Sequence, residues 1–164
     1  MSKNKGKRFE LEASKLLSEL IFNDPEVLRR TPRSGAALIF GDCYYPPAPH
    51  DIPLIFEFKN EESFDLHHIF SEDSSIWKWW AQVNHDVEEC IKLTGKVRVP
   101  VLIFTKNWYP IFILSRMELL HYISFKKRLI FEENENKFVL GILSKENVTW
   151  LNQEISNRHV KQLT

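Results

Sequence analysis

Three carboxylates and one ammonium carry the chemistry this sequence could perform. Asp42 follows directly on one apolar run, and Glu57-Phe58-Lys59 lies inside a second. Strand side chains alternate between faces, so Glu57 and Lys59 would project from the same side of a strand, an acid beside a base. If the two runs pair as a hairpin, Asp42 comes alongside, and Glu10 of the first helix can supply a further carboxylate. Hard divalent cations take oxygen ligands from a few carboxylates plus water, and a bound metal lowers the pKa of its water enough to make a nucleophile near neutral pH. A lysine beside the metal could orient that water or stabilise charge building on a phosphate. Hydrolysis of a phosphodiester fits this set. An acid-x-Lys triplet alone arises often on exposed strands. The flanking Leu54, Ile55, Phe56 and Phe58 make this strand too apolar to be a solvated edge.

The elements that must hold these groups follow from periodicity. Phe9, Ala13, Leu16, Leu17, Leu20 and Ile21 recur at helical spacing and predict an amphipathic helix from about Gly6 to Ile21. At about 100° per residue Glu10 falls on the inward edge of that stripe and Glu12 off it. A core-facing carboxylate is costly unless a cation or donors meet it. Beyond Asn23-Asp24-Pro25 a short helix to Arg30 is expected, then strands over Ala36–Phe40 and Ile52–Lys59 joined by the Pro-rich loop 44–50. Residues 61–75 read as a polar, acidic loop. Ile76, Trp80, Val83, Val87, Cys90 and Ile91 predict a second helix closed by Gly95. Strands over Val99–Thr105 and Ile111–Leu114 follow, then a short helix over Arg116–Tyr122. A hairpin of Arg128–Phe131 with Phe138–Leu143 and a final helix after Ser144 complete the chain. The order implies an α/β sandwich with a central mixed β-sheet flanked by helices.

At 164 residues, with 43% apolar side chains, the chain suits one domain with a real core. Its apolar runs fall far short of the roughly 20 residues of a bilayer crossing, and no secretory signal is read, so a soluble protein without a membrane partner is expected. Two cysteines, Cys43 and Cys90, make no disulfide framework or zinc spacing, which points to a reducing, cytoplasmic compartment. The 22 basic and 22 acidic residues cancel overall but not locally. Residues 1–33 carry +3, residues 34–89 carry −9, residues 90–131 carry +7 and residues 132–164 carry −1. An acidic middle between basic flanks suits a cation-binding centre with a phosphate-gripping rim, or an ordinary solvated acidic surface.

Glu10 within GKRFELEASKLL, RTPRSGA at 30–36, Gly41-Asp42 and FEFKN at 56–60 resemble the PD-(D/E)XK nuclease superfamily. The likeness is closest to archaeal and viral Holliday junction resolvases. It covers about residues 5–60 and implies a restriction-endonuclease-like fold spanning 1–164 as a single nuclease domain. That domain would comprise a core of about 5–115 and a C-terminal hairpin and helix extension of about 116–164. Carried over by position, Glu10, Asp42 and Glu57 become metal ligands for Mg²⁺, with Mn²⁺ substituting, and Lys59 the catalytic lysine. Arg30, Arg33 and Ser34 are then placed near the scissile phosphate or DNA backbone. Gly41 stands where the signature has proline, and the acidic, Trp-rich stretch from Glu61 to Trp80 lies outside the minimal pattern.

Gln82 is a further catalytic candidate from the second helix. It lies about 100° or more off the apolar stripe, so a solvent-facing role is equally open. Trp77, Trp79 and Trp80 could stack on a base, pack at a dimer interface or belong to the core. Lys126, Lys127 and Arg128, with Lys106 and Arg116, could contact phosphates or merely solvate a face. His50, His67, His68 and His85 show no metal-ligand spacing, and Cys43 reads as a buried filler. The expected function is a Mg²⁺-dependent, structure-selective endonuclease on branched DNA, a four-way junction resolvase acting as a homodimer, in the host cytoplasm if viral. A repair- or restriction-type nuclease on flapped or duplex DNA, and a non-catalytic DNA-binding module, are the alternatives.

Overall fold

The apolar stripes of two long helices decide the architecture, each helix covering one face of a sheet. A computed structural model describes residues 3–32, 39–46, 52–62, 64–71 and 73–151. Helix α1 (Lys3–Phe22) buries Phe9, Ala13, Leu17 and Ile21, successive positions four apart on one face. Burying each large side chain is worth about 1.5–3 kcal/mol. Helix α2 (Ser75–Thr94) buries Ile76, Trp80, Val83, Val87 and Cys90. It begins where the Ser74 hydroxyl accepts from the Ile76 N–H and ends at Gly95, whose positive φ of 68° lets its N–H reach the Ile91 carbonyl. Among the described residues no helix is long and apolar enough to cross a membrane.

Between the helices lies a five-stranded sheet in the order β3 (Leu54–Asn60), β4 (Val99–Thr105), β5 (Phe112–Arg116), β8 (Asn136–Ile142), β7 (Arg128–Glu133). β3 and β4 run parallel and the other pairs antiparallel, so the sheet is mixed, as expected. Alternation sorts β3: Leu54, Phe56 and Phe58 enter the core under α1, while Ile55 enters the core under α2. Two small ladders flank the sheet, β1 (Arg29–Arg30) with β2 (Cys43–Tyr44) and β6 (Ile123–Phe125) with β9 (Val148–Trp150).

Several boundaries differ from the sequence expectation. The chain after α1 forms no helix up to Arg30. The fully buried Ser18 hydroxyl accepts from the N–H groups of Val27 and Leu28 at 3.0 and 2.9 Å and donates to the Asp24 carbonyl, folding the segment back on α1. Ser18→Ala leaves those buried N–H groups unpaired and is expected to lower stability by about 2–4 kcal/mol in urea denaturation. A change below about 0.5 kcal/mol would contradict this account of the corner. β3 pairs with β4 rather than with a hairpin partner. Of the strand expected over 36–40, residues 36–38 lie outside the described residues and Ile39-Phe40 are not in a strand. The loop 61–75 contains a 3-10 turn over Leu66–Phe70, and the short helix expected over 116–122 is a 3-10 turn over Met117–His121. After Ser144 the chain turns into β9 instead of a helix, because Val148 and Trp150 alternate inward, and residues 152–164 lie outside the described residues.

Candidate active site

β3 is the outermost strand on its side of the sheet, yet its free edge is not solvated. The Gly41-Asp42 segment lies along it: the Asp42 N–H donates to the Phe56 carbonyl at 2.7 Å, and Asp42 Oδ2 accepts from the Phe58 N–H at 2.7 Å. The segment is held from two further sides. The Thr31 N–H donates to the Asp42 carbonyl at 2.9 Å, and the Asp86 carboxylate of α2 accepts from the Gly41 N–H. Gly41 is essential to this approach. Its φ is +74°, and a Cβ there would stand 2.6 Å from the Phe56 carbonyl oxygen. Proline, which the resemblance leads one to expect at this position, cannot take that φ.

The resulting cleft, about 330 Å³, is lined by Glu10, Arg30, Asp42, Glu57, Lys59 and Gln82, among others. Every sequence-predicted carboxylate, the lysine and the glutamine therefore meet in one place. Glu10 reaches it from the inward edge of α1 and is paired with Arg30 of β1. Glu57, 3% exposed, is bonded to Lys59 at 2.5 Å, and the Lys59 ammonium also donates to Gln82 Oε1 at 3.0 Å. Gln82 is thus exposed and at the site at once. The Thr31 hydroxyl, also lining the cleft, is buried without a hydrogen-bond partner among the described residues.

The electrostatics are those of carboxylates forced together. Burial first, then the charge of Glu57, pushes the Asp42 carboxyl from 3.8 up to about 7, against the opposing Phe58 N–H bond. Burial likewise raises Glu57, opposed by Lys59 and reinforced by the charges of Asp86 and Glu10. Asp86 is raised by burial, with the Gly41 N–H, His85 and Lys59 opposing. Cys43 is buried and its thiol pushed far up by burial and by Asp42, an inert filler as expected. Among the described residues no three His, Cys, Asp or Glu side chains are grouped so as to hold a metal; Glu10 is paired with Arg30 and Glu57 with Lys59.

Other candidates lie apart. Arg33, Ser34 and His50 fall outside the described residues. Lys126, Lys127 and Arg128 are exposed at the start of β7, the opposite edge of the sheet, about 19 Å from β3 at the usual strand spacing. Trp80 is buried, Trp77 packs on Phe138 and donates to the Ile69 carbonyl, and Trp79 packs on Phe64, so this trio belongs to the core. His67 and His85 are exposed. Asp86 is the residue sequence reasoning missed. Its signal was the i, i+4 spacing from Gln82, which puts both on one face of α2.

A mixed sheet between two helices, with carboxylates and a lysine converging at its outer parallel strand, defines a restriction-endonuclease-like fold of the PD-(D/E)XK type. The chain belongs to the family described as phage putative PDDEXK endonuclease, which matches residues 1–161. Membership supports nuclease activity. No curated protein and no solved structure matches the chain.

Proposed function

We propose that this protein is a Mg²⁺-dependent endonuclease that cuts branched DNA, a Holliday junction resolvase working as a homodimer. The observation that carries the nuclease reading is the cleft in which burial pushes up both Asp42 and Glu57, the charge of Glu57 raising Asp42 further, beside a fixed ammonium. A surface that merely bound phosphate would gain nothing from such acids. The donors fit a hard cation: oxygen ligands from one or two carboxylates, completed by water, are what Mg²⁺ takes. Asp42 and Glu57 would hold it, with Glu10 joining on release from Arg30. The Thr31 hydroxyl, buried without a hydrogen-bond partner among the described residues, can bond water or a phosphate oxygen in the same cleft.

Bound there, the cation would supply Lewis-acid stabilisation and an activated water for an in-line displacement at phosphorus. The protein's own groups set the geometry. Gln82 fixes the Lys59 ammonium, which uses two of its three N–H bonds on Glu57 and Gln82 among the described residues and keeps one for a phosphoryl oxygen as charge builds. Arg30, at the rim, can exchange Glu10 for a phosphate. Preference for four-way junctions rests on the ordered likeness to the resolvases, and the homodimer on the need to cut two opposed strands of a symmetric substrate.

Cleavage of junction, flap and duplex DNA at one salt concentration tests this, since backbone attraction is common to all three. Rapid Mg²⁺-dependent cutting of the junction is expected, abolished by EDTA and reduced about 10²–10³-fold by Glu57→Gln. Full activity in EDTA would overturn the metal reading. Equal rates on all three substrates would overturn the junction preference.

A further inference from the structure

We propose that Trp108, at the tip of the β4–β5 hairpin, is a wedge that stacks on an exposed nucleobase and so seats branched or end-bearing DNA beside the cleft. The proposal rests on the nuclease reading above and extends it to substrate choice. The Tyr109 N–H donates to the Lys106 carbonyl at 3.1 Å, closing a tight turn with Trp108 at its third position. There Trp108 has φ +66°, a conformation that favours Gly or Asn. Its side chain is 101% exposed and that of Tyr109 51%. A turn selected for stability alone would carry glycine and keep its tryptophan inside. Strain retained at a fully exposed tryptophan, with exposed Tyr109 next to it, points to a binding role.

The tip is braced. The Thr105 hydroxyl lies 3.2 Å from the carbonyls of Lys106, Tyr109 and Pro110. The Lys106 ammonium donates to the Phe64 carbonyl at 3.1 Å and sits 4.3 Å from the Tyr109 ring centre. The Asn107 N–H reaches Glu62 at 3.4 Å. An indole held out on a braced turn offers its open face to a planar base. Glu62 at the foot of the turn is paired with Lys5 and faces Lys106, and Glu61 adds a second acid, so the tip carries no surplus positive charge for phosphates and the contact is to the base face. Thr105 pairs with Asn60, the neighbour of Lys59, which bounds the Trp108 backbone to within about 20 Å of the catalytic lysine's. That is less than the roughly 34 Å of one duplex turn, so one DNA can occupy both. A continuous duplex keeps its base faces stacked inside. A branch point or an end exposes them.

The test measures binding without divalent ions to a four-way junction and to a covalently closed duplex circle, with 2-aminopurine at the branch. Trp108→Gly is expected to weaken junction binding about tenfold, leave circle binding within about twofold, abolish quenching of the probe and raise the melting temperature, since glycine suits the turn. Trp108→Phe should retain most junction affinity. Equal loss on both DNAs, unchanged junction affinity, or loss of self-association with DNA binding intact would overturn the proposal, the last by assigning the tip to a second copy. Cleavage by the wild-type protein judges the nuclease reading separately, because these binding arms need no catalysis.

Discussion

Replacing Asp42 by asparagine is expected to lower cleavage about 10²–10³-fold while making the protein harder to unfold above pH 7, the scale of activity loss being that of removing one preorganised electrostatic group from a site. Asparagine still offers an oxygen to the Phe58 N–H, so the edge of β3 stays covered. What it removes is a charge that burial and Glu57 oppose. The sign is fixed by linkage. The Asp42 carboxyl titrates at about 7 in the folded protein against 3.8 ordinarily, so the folded state binds more protons between those values. Its contribution to stability therefore falls as pH rises from about 4 to about 7, by a few kcal/mol at about 1.4 kcal/mol per pKa unit. Thermal melts in EDTA should show Asp42→Asn above the wild type at pH 8, with the gap closing toward pH 4. Adding Mn²⁺ at pH 8 should raise the wild-type melting temperature and leave the variant unmoved. A variant less stable than the wild type at pH 8, or one that still cuts at full rate, would contradict the reading.

Gly41→Ala is expected to damage both fold and activity, by a different route. A left-handed φ costs a side-chain-bearing residue about 1–2 kcal/mol, and crowding a packed contact about 1–3 kcal/mol more. The added methyl meets Phe56 backbone atoms, which cannot swing aside as a flexible side chain would. The segment must lift from β3, breaking the Asp42 N–H bond to Phe56 and moving the carboxylate from the cleft. Urea denaturation should show a loss of about 2–5 kcal/mol. Cleavage should fall at least as far as in Asp42→Asn, even under conditions where the variant is folded. Wild-type stability with wild-type cleavage would show that the Gly41-Asp42 approach is not what positions the acid. Gly41→Pro should be worse, because it also removes the N–H that Asp86 accepts.

What the sequence disclosed follows from the range of the forces involved. The stripes of α1 and α2, the apolar β3 and β4, and the β7–β8 hairpin are local patterns read from spacing. So is Glu10 on the inward edge of α1, and Glu57 and Lys59 on one face. β1 and β2, two residues each, are too short to have a period and exist because Asp42 is strapped between Thr31 and Phe56. The position of Lys126–Arg128 depends on β8 inserting beside β5, which leaves β7 outermost, a non-local pairing that no spacing reveals. Asp86 was hidden because its partner is a backbone N–H. Trp108 was hidden because turn chemistry argues against tryptophan where it stands, while the conspicuous Trp77, Trp79 and Trp80 are consumed by the core.

The central claim is that Asp42 and Glu57 share one divalent ion in the β3 cleft. A crystal structure of the protein soaked in Mn²⁺, with anomalous diffraction recorded at the manganese edge, measures this directly. The account predicts a single strong anomalous peak within bonding distance of oxygens from both carboxylates, and its loss in Asp42→Asn. A cleft without a peak at saturating Mn²⁺, the Lys59–Glu57 bond intact, would contradict it.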